Sequence, residues 1–580
     1  MKSKYFLLAS ALLIFNMTLI SDLEVGIMNN SHSELSLGKV QKTQSIESLN
    51  LAVNFTAYIG ARIFGDESFS TAIGSDNSIF IAGWTSTSYF PTTANAFNRT
   101  KSDSDSDIFV ARFSPDGSEL IFSTFIGGTQ GNFGDGIVRI ALDSNDNVIL
   151  GSYTSSIEFP TTVGAYDRIY NGGDFDAVIT KLSADGSELL FSTLIGGSGQ
   201  DSIINIRVDS SDRIYLAGNT ESSDFPTTLG AYNRTHGGHE DLFVACLSSD
   251  GSTLEFSTFI GGSQWDMNPK IDLDSAGNIY IGGTTSSNNY PVTPDALNTT
   301  SNGGIGSLPG EDLKGAELTL SKLSADGSDL LYSTYLGGTG GEYINALAID
   351  SADNVIIAGH TGSSDFPVTA NSYNPNFQGG FWENILADIF VTKISADGSS
   401  ILFSTYVGGS ISYEFCRDIV LDENDNIYIT GHTYSSDFPV KPMYTLDNTP
   451  PDNYYDDAFV SVLAADGSDL LYSSFFGGPG YDGAFEITLD DNDIIITGYT
   501  NGGLPTSNHT LVSEYGTVKS LFVTKFSNST IDFTPESSTT TTSEPSTTDT
   551  DSNQASFIPL ELIMFTMVSL AFYVKRRKIT

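Results

Sequence analysis

One short phrase recurs along this chain: an aromatic residue, Ser-Thr, two further apolar residues, then Gly-Gly. It runs from Phe191 to Gly197, Phe256 to Gly262, Tyr332 to Gly338 and Phe403 to Gly409; further copies end at Gly128 and Gly478, and a degenerate one runs from Phe55 to Ala61. Seven copies of one unit point to a single repeat architecture, because a repeat that cannot bury its apolar face alone must stack on its neighbours. Each unit carries four strand-like segments, A to D, which in the second unit fall at 137–143, 147–153, 177–183 and 188–195. Asp-rich turns such as 143–147 and 350–354 join A to B. Asp-Gly turns at Asp116, Asp185, Asp250, Asp326, Asp397 and Asp466 join C to D. Both connections read as hairpins.

Strand B is apolar on consecutive residues, as at Ile279-Tyr280-Ile281 and Ile427-Tyr428-Ile429. A strand of that kind needs cover on both faces. Four-stranded sheets stacked face to face around an axis supply it, and radial repetition of such sheets is the β-propeller. The fold expected is therefore all-β, a propeller of seven four-stranded blades. Its closure is legible too: the last unit offers A from Ala484, B from Ile494 and C at 521–527 but no D, whereas 49–59 is a D strand with no unit before it. The N-terminal strand is expected to complete the seventh blade, which removes the exposed sheet edges.

A second phrase follows strand B. It reads Gly218-Asn-Thr-Glu-Ser-Ser-Asp-Phe-Pro-Thr-Thr228, Gly359-His-Thr-Gly-Ser-Ser-Asp-Phe-Pro-Val-Thr369 and Gly431-His-Thr-Tyr-Ser-Ser-Asp-Phe-Pro439, with matching copies around Pro91, Pro160 and Pro291 and a worn one around Pro505. In this phrase the chain resembles the SBBP β-propeller repeat proteins of bacterial and archaeal surfaces, over about residues 49–530. The resemblance implies the propeller fold and a surface location; it implies no activity.

The ends suggest the same compartment. Lys2 and Lys4 precede an apolar run to about Ile20, so 1–22 reads as a secretory signal, followed by a spacer at 23–48. At the far end 557–574 is apolar enough to span a membrane once, and 575–580 supplies a basic cytoplasmic stop. Between lies a Ser/Thr/Pro/acidic stalk, 531–556, which cannot bury a core. Spacer, span and basic finish also resemble the tails processed by prokaryotic sortase-like enzymes, but no processing motif stands before the span. Sequons at Asn54, Asn98, Asn233, Asn298, Asn508 and Asn528 suit an exported glycoprotein.

A formal charge of −44 argues against nucleic acid as a partner, because phosphate recognition needs a basic surface. The only cysteines, Cys246 and Cys416, fall on non-neighbouring blades and are not expected to pair.

Function is expected on the face that carries the Gly-Gly turns and the long B-to-C loops, since long loops on a rigid scaffold are where binding resides. The most divergent loops, 298–317, 374–387 and 441–457, bring Phe377, Phe381, Trp382, Tyr444, Tyr454 and Tyr455 among Asn, Asp and Gly. That mixture suits an extracellular glycan or protein, against the plainer reading that the rings anchor their own loops. A position just after strand B varies from blade to blade as Trp84, Tyr153, Asn219, Thr284, His360, His432 and Tyr499. It lines a central pocket on one reading and packs the strand end on the other. His236 and His239 share a Gly-rich loop without the spacing of a helical metal site. No cofactor is expected; Ca²⁺ at the acidic A-to-B turns is the one alternative, and those turns lack the ligand spacing of an EF-hand loop. No nucleophile elbow, phosphate loop or paired-cysteine motif occurs. A non-catalytic binding or adhesion module held at the cell surface is therefore expected, with a hydrolase or lyase using carboxylates on the propeller face, or a structural surface-layer component, as alternatives.

Overall fold

A computed structural model describes residues 51–59, 70–102, 106–129, 135–303, 316–379, 387–441, 451, 455–490, 493–501, 503–504 and 520–528. The expected signal, spacer, stalk, span and basic tail lie outside these residues. Among the described residues no helix is long and apolar enough to cross a membrane.

Among the described residues every regular element is a strand, and the strands form seven separate four-stranded antiparallel sheets. Blades one to six span 70–126, 135–195, 201–260, 266–336, 342–407 and 414–476; in each, the four strands pair in sequence order. The seventh takes three strands from 482–528 and its outermost from Leu51–Ile59, which pairs antiparallel with Ser520–Asn528 in the register Thr56↔Thr524. The chain thus closes its ring as the offset of its repeats requires. Strand boundaries differ from the sequence reading by one or two residues, as in Asp135–Leu142 for 137–143.

The innermost strand of each blade touches those of the two neighbouring blades, and Asp482–Asp490 returns to Ser70–Ile73. The core lies between blades. One cluster, for example, packs Ile149, Ile179 and Phe191 of blade two against Ile206, Leu216 and Phe243 of blade three. Strand B of that blade, Ile214–Thr220, is buried almost throughout, the environment its consecutive apolar residues demand.

The aromatic residue that opens the repeated phrase has a defined seat. A Cβ on Gly186, in the Asp-Gly turn of blade two (φ +70°), would lie 2.2 Å from the Phe122 ring of blade one. Gly251 stands in the same relation to Phe191, and Gly117 of blade one to Phe55 of the closing strand. Positive φ and the ring together restrict the position to glycine. The joint between first and last blades is therefore built like the others.

Candidate functional site

The Gly-Gly turns sit beneath buried carboxylates. A Cβ on Gly196 would lie 2.9 Å from Asp201 Oδ2 and 3.1 Å from Asp176 Oδ1; on Gly408 it would lie 2.9 Å from Glu414 Oε2 and 3.0 Å from Asp388 Oδ1. The carboxylates fill the space that any side chain would need. Asp201 Oδ2 accepts from Gly197 N and from Ser222 Oγ, both at 2.8 Å, while Asp176 Oδ2 accepts from Asn171 N at 2.6 Å. Asp224 accepts from the N–H and hydroxyl of Ser198, and the Phe225 ring lies tilted 4.3 Å from that of Phe243. The Ser-Ser-Asp-Phe-Pro phrase is thus a latch that ties the long B-to-C loop to the Gly-Gly turn. Burial pushes Asp176 and Glu342 up to about 7, and Asp201, Asp266 and Asp388 to about 6.

Inside the latches, at the mouth of the axis, the varying position proves to be the penultimate residue of strand B rather than a residue after it. His360 and His432 pair with Tyr343 and Phe415 on the innermost strands. The His360 ring stacks on Tyr343 at 5.5 Å and meets Phe415 edge-on at 4.8 Å; Phe415 lies 4.9 Å from His432, which meets Tyr434 and Tyr499 in turn. Tyr499 donates to Asp456, and Tyr481 meets Tyr455 edge-on at 4.7 Å. Blades five to seven therefore share a continuous aromatic wall, of which Tyr343, His360, His432 and Tyr499 are buried and Tyr455 is exposed. Burial, with the positive charge of Arg417 nearby, holds His360 down at about 3, so it is neutral at ordinary pH. Its Nδ1 is buried without a hydrogen-bond partner.

Beneath this wall runs a second tier, one residue per innermost strand: Ser70, Arg139, Asn205, Lys270, Ala346, Asp418 and Glu486. Each pairs with the equivalent residue of strand B: Ala82, Gly151, Ala217, Gly282, Ala358, Thr430 and Thr497. Four members accept a backbone N–H from the next blade. Glu486 takes that of Thr71, Ser70 that of Ile140, Asn205 that of Ile271 and Asp418 that of Ile487. The exposed edge of each following strand is capped in this way. Arg139, Lys270 and Ala346 have no acceptor to offer.

The sequence-predicted site residues separate into groups. Phe381, Trp382, Tyr444 and Tyr454 lie outside the described residues. Phe377 packs on the core beside Tyr406 at 5.5 Å and anchors its own loop. Tyr455, 39% exposed, joins His360 and His432 at the aromatic wall. His236 bonds to the Thr220 carbonyl, and His239 stacks on Trp265.

On the opposite face the A-to-B turns use their carboxylates structurally. Asp143, Asp274 and Asp350 bind their own turns and form buried ion pairs with Lys181, Lys322 and Lys393 at 2.6–2.8 Å. Those three lysines also donate to a carbonyl of the next blade. Asp146, Asp212, Asp353 and Asp425, all with φ near +60°, accept from Ser75, Ser144, Ser275 and Ser351 of the preceding blade. The repeated strand-C lysine was visible in the sequence as Thr180-Lys181, Ser321-Lys322, Thr392-Lys393 and Thr524-Lys525, but its partner lies across a hairpin and no local pattern names it. Among the described residues no group of three or more His, Cys, Asp and Glu side chains is arranged to hold a metal ion.

A closed ring of seven four-stranded blades with long loops on one face defines a β-propeller. Four of its units match the family model of the SBBP β-propeller repeat, at residues 190–226, 255–291, 331–367 and 402–439. A regulatory protein of Caulobacter vibrioides, FlaEY, is 27% identical over 303 residues, 49% of this chain and 29% of its own length. The chain thus spans under a third of that relative. Among solved structures, the polysaccharide lyase Uly1 aligns with TM-score 0.43 and 8% identity over 83% of this chain and all of its own. A protein of unknown function from Dyadobacter fermentans aligns with TM-score 0.40 and 10% identity over the same shares.

Proposed function

We propose that this propeller is a non-catalytic binding module held outside the cell, and that the aromatic mouth on blades five to seven receives an extracellular glycan or a polar protein segment. The observation that carries the reading is the continuous run Tyr343, His360, Phe415, His432 and Tyr499 with Tyr455 and Tyr481 at its rim. Flat rings supply contact area at small entropic cost, and the phenol of Tyr455, 39% exposed, supplies direction. The latches support the same reading, because Asp365 and Asp437 tie the start of the B-to-C segments of blades five and six to the neighbouring Gly-Gly turns. The test is retention of the purified full-length protein on glycan and surface-protein arrays, with and without Ca²⁺, followed by incubation of each hit. Saturable retention that Tyr455→Ala/Tyr481→Ala abolishes, with the hit recovered intact, is expected. Cleaved product would replace this reading with a hydrolase or lyase.

A further inference from the structure

The floor of the mouth is charged in a way that the rest of the molecule is not. The chain holds 26 Lys and Arg against 70 Asp and Glu, yet Arg139, Arg207, Lys270 and Arg417 converge on the axis. Their charges act across the ring and not merely along it. Arg139 of blade two feels Asp418 and Arg417 of blade six and Glu486 of blade seven; Lys270 of blade four feels Arg139, Arg207, Arg417 and Asp418. Arg139, Lys270 and Asp418 share one register on the innermost strands, and residues of opposite blades come within reach of one another only toward the axis. Arg139 and Lys270 occupy two of the three places where the tier of backbone-capping acceptors is interrupted, so each gives up a cap that Ser, Asn, Asp or Glu supplies elsewhere. Arg417 sits on the bulge between Cys416 and Asp418, its guanidinium 5.6 Å from the Phe415 ring and 5.9 Å from Phe485. The same Phe415 belongs to the aromatic wall, which links the mouth to the floor. Arg417 Nε is buried with no hydrogen-bond partner.

The groups facing this floor are Arg139, Arg207 with its partner Asp272 at 3.3 Å, Lys270, Arg417, Asp418, Glu486 and, above them, His360. Four cations here face three carboxylates, Asp272, Asp418 and Glu486, and the last is pushed toward its neutral form, so the group keeps a positive charge without a matching partner. We propose that the axial floor binds an oxyanion, a carboxylate or sulfate group, carried by the ligand that enters through the aromatic mouth. This inference names the ligand class for the site proposed above and rests on that reading. Burial and the three neighbouring guanidinium groups bring Lys270 down to about 7, while burial and Asp418 bring Glu486 up to about 8. An anion arriving at neutral pH restores the charge on Lys270, so binding takes up a proton, and affinity falls as pH rises from 6 to 9.

The test is calorimetry on the full-length protein with sodium sulfate, sodium glucuronate and neutral glucose as probes at constant ionic strength. Sulfate and glucuronate are expected to bind with proton uptake; glucose is not. Glucuronate binding without sulfate binding assigns the floor to a sugar acid, and equal binding assigns it to the oxyanion alone. Lys270→Gln is expected to weaken binding at least tenfold. Glu486→Gln keeps the acceptor for Thr71 N, so it is expected to tighten binding at pH 9 and to change little at pH 6. A purely structural role would move both variants the same way. Absence of anion binding, or equal loss in both variants, overturns the inference even if neutral glycans are retained; loss of all retention in Tyr455→Ala/Tyr481→Ala alone would concern the mouth and not the floor.

Discussion

The two faces of the propeller use the same side chain to opposite electrostatic ends. On the turn face the carboxylates of the C-to-D turns stand in water and collect hydroxyl donors, which stabilise the charged form: Ser114 and Ser118 hold Asp116 down at about 2, and Ser395 and Ser399 do the same for Asp397. On the loop face they are sealed against the Gly-Gly turns, and burial outweighs their hydrogen bonds, as at Asp176 and Glu342. Solvent access sets the sign where no cation stands by, whereas the buried Asp143, Asp274 and Asp350 of the turn face are held low by hydrogen bonds from Lys181, Lys322 and Lys393 and from their own turns. The turn face repeats its lysine–carboxylate pair in blades two, four, five and seven and its Ser–Asp contact at four junctions, and these bolt blades together. The loop face keeps its latches constant and varies only what stands inside them.

This contrast can be broken in graded ways. Deleting 51–59 removes the closing strand and the Phe55 ring over Gly117, and is expected to abolish cooperative thermal unfolding of the propeller as seen by calorimetry. Gly196→Ala drives a methyl group into Asp176 and Asp201 and is expected to cost about 2 kcal/mol, read from denaturant midpoints; a neutral result would mean that the turn is not sealed. Lys393→Met leaves Asp350 buried without its cation and is expected to cost about 3 kcal/mol. Adding Asp350→Asn should restore part of that loss.

The pH dependence sharpens the comparison further. Asp176, Glu342, Asp201, Asp266 and Asp388 are raised above their unfolded values, so their folded forms hold protons that the unfolded chain has released. The stability this confers is full below about pH 4 and is lost as pH rises through 6–7. The turn-face carboxylates act in the opposite sense, losing their contribution only as pH falls toward 2. The melting temperature is therefore expected to be highest near pH 4–5 and to drop by about 5 °C by pH 8. A maximum at or above pH 7 would mean that the loop-face carboxylates are not buried.

Much of the fold was legible because each repeated residue reports a local need. Gly-Gly marks a turn with no room for Cβ, the opening aromatic marks a seat on the next blade, and the missing D strand at one end matches the spare one at the other. The site was legible only in part. His360 and His432 stood out because they vary at a matched position, yet their aromatic neighbours come from other strands and blades. Arg139, Lys270 and Glu486 gave no signal at all. They become one tier only when seven innermost strands are brought to a common axis, and bulges that differ between blades, such as the shift between Met267 and Lys270, hide the alignment in sequence.

The central claim is that ligand is received at the loop-face mouth and not at the turn face. The most direct measurement compares retention of two full-length variants on the glycan and protein arrays, Tyr455→Ala/Tyr481→Ala at the rim and Ser144→Ala/Asp212→Ala on the turn face. Loss in the first with wild-type retention in the second is predicted; loss in the second with retention in the first would contradict the account.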